Sequence, residues 1–205
     1  LVVGVFTFSA LIVRPFAGHA LETQGRRFVF LLGLLIFVIS VGSYSFISSI
    51  FLLFLMRVVQ GVGWGFSTTA SGTVATDIIP ANRRGEGMGY YGLSGNIALA
   101  FGPSLGLVLA ASISFNHLFM ICAALGVASL LFAAAITYKK AERGHGKGAN
   151  KWDLYEKTAL IPSVLLFFLT VTFGGIASFL PLYTAQKQIE GLQLYFLLYA
   201  LALMV

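Results

Sequence analysis

The stretch that decides the fold is Gly18-His19-Ala20-Leu21-Glu22-Thr23-Gln24-Gly25-Arg26-Arg27, a short charged hairpin between two long apolar runs. It places Glu22 at the end of one predicted membrane helix, and Arg26 and Arg27 at the start of the next. Helix dipoles favour the opposite arrangement, with cations at a C-terminus and anions at an N-terminus. These charges are therefore predicted to act beyond their own helices, the arginines as a topology signal and Glu22 by docking elsewhere.

The composition argues against a soluble globule, because 58% of the residues are hydrophobic and only 10% are charged. Uncharged apolar runs of about 20 residues, the length that crosses a bilayer core, recur along the chain. Their placement predicts an all-α polytopic membrane protein, with short first and last spans that suggest a fragment truncated at both ends. The predicted spans are 1–17, 28–47, 51–75, 88–111, 117–138, 160–183 and 193–205.

The net charge of +6 lies mostly in the predicted loops, and its placement indicates an orientation. If 18–27 is cytoplasmic, ten basic residues lie inside and only Lys187 lies outside, which agrees with the positive-inside rule. The basic charge therefore reflects membrane topology, and no nucleic-acid partner is needed to explain it. The ten inside residues are Arg26, Arg27, Arg83, Arg84, Lys139, Lys140, Arg143, Lys147, Lys151 and Lys157.

A long polar stretch at 139–159 divides the chain unequally. We predict an N-terminal transmembrane bundle at 1–138, a cytoplasmic linker at 139–159 and the start of a second bundle at 160–205. Two bundles joined by a long cytoplasmic loop are typical of transporters built from repeats. His145 of the linker is interpreted as a solvated residue, because no second metal ligand lies near it in the sequence. We predict no cofactor and no metal site.

Arg57 stands inside the third apolar span, where a charged side chain costs a few kcal/mol. Such a residue usually faces a partner or a water-filled path. Gln60 lies three residues on, on the same helical face, and can hydrogen-bond to Arg57 or line that path. The alternative is that Arg57 extends outward to a nearby interface, although about 10 Å separates it from the start of the span.

The following span contains Gly102-Pro103-Ser104-Leu105-Gly106. Pro103 removes a backbone hydrogen bond and is predicted to bend the helix, while Gly102 and Gly106 allow neighbouring helices to fill the bend. Close packing without motion is the alternative. Asn96, an amide in the same span, is the best single candidate for a residue facing a substrate cavity.

Together these motifs resemble the major facilitator superfamily of secondary transporters, and within it the twelve-span drug:proton antiporter branch. Residues 18–27 look like the family's loop between spans two and three, with Ala20 for the usual Leu and Glu22 for the usual Asp. Arg57 to Gly61 look like its Arg-x-x-Gln-Gly motif in span four. Residues 98–107 look like the span-five antiporter motif, with Ala98 and Leu107 in place of two glycines.

The resemblance implies major facilitator-type helix bundles, of which this chain covers about spans two to eight. Gly18, Glu22, Gly25, Arg26 and Arg27 would form a gating hairpin whose acid meets a helix end of the other half. Arg57 would influence the protonation of a carboxylate, which we expect outside residues 1–205, and the Gly-Pro helix would oppose leak. A cytoplasmic charge network that breaks during transport is a further hypothesis, with independent exposed charges as the alternative; its members are Asp77, Arg83, Arg84 and Glu86.

The predicted function is alternating-access transport, with proton-coupled export of a small amphipathic compound. A sugar or metabolite facilitator of the same fold is the alternative, although few polar residues lie within the spans. A membrane enzyme is disfavoured because His19, His117 and His145 are isolated, and a non-transporting receptor is disfavoured by Arg57. We expect a monomer in the plasma (inner) membrane, with the lipid bilayer, protons and a small-molecule substrate as its partners.

Overall fold

The computed structural model describes residues 2–136 and 160–187, together with residues 198 and 202. The chain forms two compact units, Leu1–Gly144 and His145–Val205, and each is described by itself. The predicted linker and most of the seventh predicted span, 193–205, lie outside the described residues. The first unit contains α1 (Val2–Thr23), α2 (Arg26–Ser43), α3 (Ile50–Ile78), α4 (Arg84–Ser112) and α5 (Phe115–Ala135), and the second contains α6 (Leu160–Lys187).

The predicted all-α fold is confirmed, and each of the first six predicted spans coincides with a helix. Two short 3₁₀ turns, Tyr44–Phe46 and Ala81–Arg83, follow α2 and precede α4. Four described helices are long and apolar enough to cross a bilayer: α1, α2 with its 3₁₀ turn, α3 and α5. The chain is thus an integral membrane protein with several spans.

The charged hairpin is tighter than the apolar pattern suggests, because α1 continues to Thr23 and α2 begins at Arg26. The backbone N–H of Gln24 donates to the carbonyl of Ala20 at 2.8 Å and closes the last turn of α1. Gly25 then reverses the chain with φ 93° and ψ 149°, a conformation that is open in practice only to glycine.

Helix α3 is the centre of the first unit and packs against both α1 and α2. A Cβ atom at Gly61 would collide with Ser9 and with the Phe6 carbonyl of α1. A Cβ atom at Gly63 would lie 2.6 Å from the backbone nitrogen of Phe37 on α2. The glycines of α3 therefore serve two different neighbours, and each permits direct contact between helix backbones.

The same contacts give the helix directions. Gly61 lies beside Ser9 of α1 and Gly65 lies beside Ala10, with the Val13 side chain also near, so α1 and α3 run parallel. Helix α5 packs on α2, where Gly126 faces the Val38 side chain. Helix α4 makes fewer contacts with α3 and α5, and none of its described side chains is buried.

Three glycines of the candidate motifs make no close helix contact among the described residues. Cβ atoms placed at Gly18, Gly102 and Gly106 would meet no atom within 4 Å. These positions face open space in the described part of the molecule, and the predicted filling of a bend at Gly102 and Gly106 by neighbouring helices stays a prediction. Helix α4 is continuous through position 103, and the predicted bend stays a prediction.

Candidate functional site

The first group of candidate residues lies at the end of the bundle opposite the charged hairpin, and we call Tyr44, Arg57 and Gln60 the outer cluster. Arg57 Nη1 donates a hydrogen bond to Gln60 Oε1 at 3.1 Å. The Tyr44 hydroxyl donates to the same oxygen at 2.8 Å. The Arg57 guanidinium carbon lies 5.1 Å from the centre of the Tyr44 ring, within cation–π range. Arg57 therefore points into the helix bundle and does not extend outward.

Elementary chemistry decides which group donates and which accepts in each hydrogen bond of the outer cluster. A guanidinium group has no acceptor, so the Gln60 atom that faces Arg57 is the carbonyl oxygen, and the Tyr44 hydroxyl must donate to it. Gln60 is only 7% exposed and Tyr44 9%, so the hydrogen bond between them is buried, while the bond from Arg57 is partly buried. The amide oxygen uses both lone pairs, and its orientation is thereby fixed.

Most of the hydrogen-bonding capacity of Arg57 is unused within the described residues. The guanidinium carries five N–H donors. Its Nε atom is buried and has no hydrogen-bond partner in the described part of the chain. A buried, unpaired donor of a charged group is costly, so the outer cluster presents a preorganised cation that favours an anionic or strongly polar acceptor.

Asn96, the third residue of the predicted coupling group, does not join this cluster. It lies on α4 and is half-buried, and within the described residues it forms no hydrogen bond with Arg57 or Gln60. A different contact links α4 to α3: the hydroxyls of Ser71 and Tyr91 lie 2.7 Å apart. The structure thus brings together two of the three predicted residues.

The second group lies at the hairpin end, and we call Glu22, Arg26, Arg27 and Asp77 the cytoplasmic cluster. Arg26 Nη1 lies 2.7 Å from Asp77 Oδ2, with both side chains about 30% exposed. Among the described residues Asp77 Oδ2 accepts no hydrogen bond of good geometry, so its contact with Arg26 is an ion pair held by charge. Arg27 Nη2 donates to the carbonyl of Ala134 at 3.2 Å.

These contacts explain the unusual placement of the arginines. Asp77 is one residue from the end of α3, and Ala134 is one residue from the end of α5. Arg27 therefore lies at the C-terminus of α5, where a helix dipole favours a cation. The hairpin arginines begin α2 but connect it to the C-terminal ends of α3 and α5.

The four residues predicted as a cytoplasmic charge network form only one ion pair with each other among the described residues, and a network that breaks during transport stays a prediction. Asp77 pairs with Arg26, whereas Arg83 Nη2 lies 2.7 Å from Glu86 Oε1 within one turn of helix. The second pair is well exposed and is worth about 0–1 kcal/mol. Arg84 is exposed and has no recorded ion pair among the described residues.

Glu22 is exposed at the cytoplasmic end of α1. Within the described residues it forms no hydrogen bond or ion pair. This placement fits an acid that meets a group outside α1–α5, as the resemblance implies. In the same described part, no cluster of three or more His, Cys, Asp or Glu residues could hold a metal ion.

Sequence reasoning did not identify Tyr44 as part of the site. A tyrosine at the end of an apolar span is usually interpreted as an interfacial anchor. Its 13-residue separation from Arg57 crosses a turn and gives no periodic signal. The oxygen of a buried amide can accept two hydrogen bonds, and the Tyr44 hydroxyl supplies the second donor beside Arg57.

The fold and the two clusters define a polytopic α-helical membrane protein with a preorganised cation within the span region and charged contacts at the cytoplasmic end. The sequence model of the Major Facilitator Superfamily matches residues 1–205. The chain belongs to this superfamily, which confirms the resemblance.

Two curated relatives illustrate the similarity. Over 161 residues, the chain is 29% identical to Multidrug resistance protein 3 of Bacillus subtilis strain 168, covering 78% of this chain and 31% of that protein. Over 193 residues, it is 23% identical to Quinolone resistance protein NorA of Staphylococcus aureus strain MSSA476, covering 91% of this chain and 49% of that protein. The chain thus aligns with less than half the length of either relative.

Proposed function

We propose that this chain is part of a secondary transporter that exports small amphipathic compounds in exchange for protons. The observation that carries the proposal is the preorganised guanidinium of Arg57, which is held inside an apolar span with a buried, unpaired Nε atom. The names of the two relatives, which specify multidrug and quinolone resistance, support the choice of substrate class. The apolar composition of the spans also favours lipophilic over sugar-like compounds.

In the proposed mechanism, Arg57 controls the charge of a membrane carboxylate supplied from outside residues 1–205. A nearby cation favours the ionised form of a carboxylic acid, so the acid releases its proton while Arg57 is close. The acid binds a proton again when alternating access separates the two groups. The three acids among the described residues, Glu22, Asp77 and Glu86, lie at the predicted cytoplasmic side and do not fill this role.

The cytoplasmic cluster is proposed as the gate. The Arg26–Asp77 ion pair joins α2 to the end of α3, and it holds the hairpin so that Glu22 faces outward from α1. Glu22 would then meet a helix end of the second bundle when the cytoplasmic side is closed.

We extend the proposal to the predicted organisation: an N-terminal bundle at 1–138, a linker at 139–159, and a second bundle from 160 in a monomer of the plasma membrane.

The test uses the complete protein in everted membrane vesicles with an acidified interior. A pH-sensitive dye reports proton release when lipophilic cations, sugars or organic acids are added. We expect lipophilic compounds to dissipate the gradient, and we expect Arg57→Ala to abolish this response. Lys187→Ala, an exposed change at the end of α6, is the matched charge-removal control and should behave like the unaltered protein.

Two results would contradict the proposal. If Arg57→Ala retained the full response, Arg57 would have no part in coupling. If none of the lipophilic compounds released protons but a sugar moved down its gradient, the chain would belong to a facilitator, and the proton-coupled mechanism would be abandoned.

A further inference from the structure

The contacts of Tyr44 with both other members of the outer cluster point to a function in transport. Tyr44 begins the 3₁₀ turn at the end of α2, so it approaches α3 from a different helix. Its hydroxyl binds Gln60, its ring faces Arg57, and the same ring lies 5.4 Å from the ring of Phe119 on α5. A residue that only anchored the helix at the membrane interface would not need these three contacts.

We infer that Tyr44 is a positioning residue that sets the orientation of the Arg57 guanidinium. It thereby sets the pH at which the transporter couples proton movement to export. This inference rests on the proposed coupling function of Arg57. Tyr44 touches neither substrate nor proton carrier in this account and acts through Gln60 and Arg57.

Tyr44 constrains Arg57 in two ways. The ring lies against the cationic group and limits rotation of the guanidinium plane. The hydroxyl occupies one lone pair of Gln60 Oε1, so the amide cannot turn away and the other lone pair remains directed at Arg57 Nη1. The direction of the buried, unpaired Nε–H is thereby fixed, and the coupling carboxylate would lie on that side of the guanidinium.

The decisive variant is Tyr44→Phe, which removes the hydroxyl and keeps the ring. Loss of one hydrogen bond corresponds to about a fivefold change in an equilibrium constant. A less well-oriented cation favours the ionised carboxylate less strongly, so the pKa of the coupling carboxylate rises. The pH of half-maximal proton-coupled transport should rise with it by about 0.7 units, the logarithm of that fivefold factor. Tyr44→Leu also removes the ring and should give a larger rise, of about one unit or more.

The experiment measures drug-driven proton release by the complete protein across a series of pH values, with Tyr183→Phe as the matched control. Tyr183 is an exposed tyrosine of α6 and should leave the profile unchanged. We expect Tyr44→Phe to shift the profile while the substrate KM at the optimum changes less than twofold. In a Gln60→Leu background, Tyr44→Phe should have no additional effect, because its hydroxyl has lost its partner.

The outcomes separate this inference from the proposed function. If Arg57→Ala abolishes coupling but Tyr44→Phe has the unaltered pH profile, the positioning role is wrong and the coupling role of Arg57 stands. If Arg57→Ala remains coupled, the proposed function fails and the inference fails with it. An equal effect of Tyr44→Phe with and without Gln60 would also overturn the inference, because Tyr44 would then act by another route. If Tyr44→Phe does not reach the membrane, Gln60→Leu takes its place, because it removes the hydrogen bond from the other side. The pH profile of proton release by Gln60→Leu must then show the alkaline shift, and an unshifted profile would overturn the inference.

Discussion

Replacing Gly61 by alanine should disrupt the central packing of the N-terminal unit. The added methyl group would collide with Ser9 and the Phe6 carbonyl, and it would lie 3.2 Å from the Ala10 nitrogen. Two of these three contacts are with backbone atoms, so α1 must move away from α3. Overpacking of this kind costs about 1–3 kcal/mol.

Gly72→Ala is the matched control, because Gly72 lies in the same helix and a Cβ atom there would meet nothing within 4 Å. Both replacements gain about 1 kcal/mol of helix propensity, so the difference between the two variants isolates the packing term. The assay is the temperature at which the complete protein in detergent loses its monodisperse elution. Gly61→Ala should fail at a clearly lower temperature than Gly72→Ala, and equal stability would refute the direct contact between α1 and α3.

Three further predictions concern the cytoplasmic cluster. Gly25→Ala should cost about 1–3 kcal/mol of stability in thermal unfolding, because φ 93° with ψ 149° is strained for any residue with a Cβ. Gly85→Ala is the control, because a Cβ there meets open space. An equal or smaller loss of stability for Gly25→Ala than for Gly85→Ala would contradict the prediction. Asp77→Arg should impair export more than it lowers stability, because it breaks the ion pair with Arg26. Adding Arg26→Asp reverses both charges and should restore export in an efflux assay. If the double variant does not recover export, the ion pair is not the functional contact. Glu22→Gln should reduce export with thermal stability unchanged, since Glu22 is exposed, whereas a destabilised protein with normal export would contradict its gating role.

The helices could be predicted from the sequence because a membrane-spanning helix needs about 20 apolar residues to cross the bilayer core, and runs of that length are visible in the sequence. The first six predicted spans coincide with helices. The pairing of Arg57 with Gln60 also followed, because residues three apart share a helical face. These are local relations, and a single sequence contains them.

The relations between helices could not be predicted in this way. The partner of Asp77 was expected among the nearby charges of its own loop, yet it is Arg26, which lies 51 residues earlier in the chain. Tyr44 reaches Gln60 only because α2 and α3 pack in an antiparallel pair. Gly61 and Gly63 differ by two positions but contact different helices, a distinction that depends on which neighbours surround α3.

The most direct test of proton-driven export is transport by the purified complete protein in liposomes with an acidic interior. We predict that a labelled lipophilic cation accumulates inside above its external concentration, that an ionophore exchanging protons for potassium abolishes the accumulation, and that Arg57→Ala shows none. Equal internal and external concentrations for the unaltered protein, or accumulation that persists after the pH gradient has collapsed, would contradict proton-coupled export.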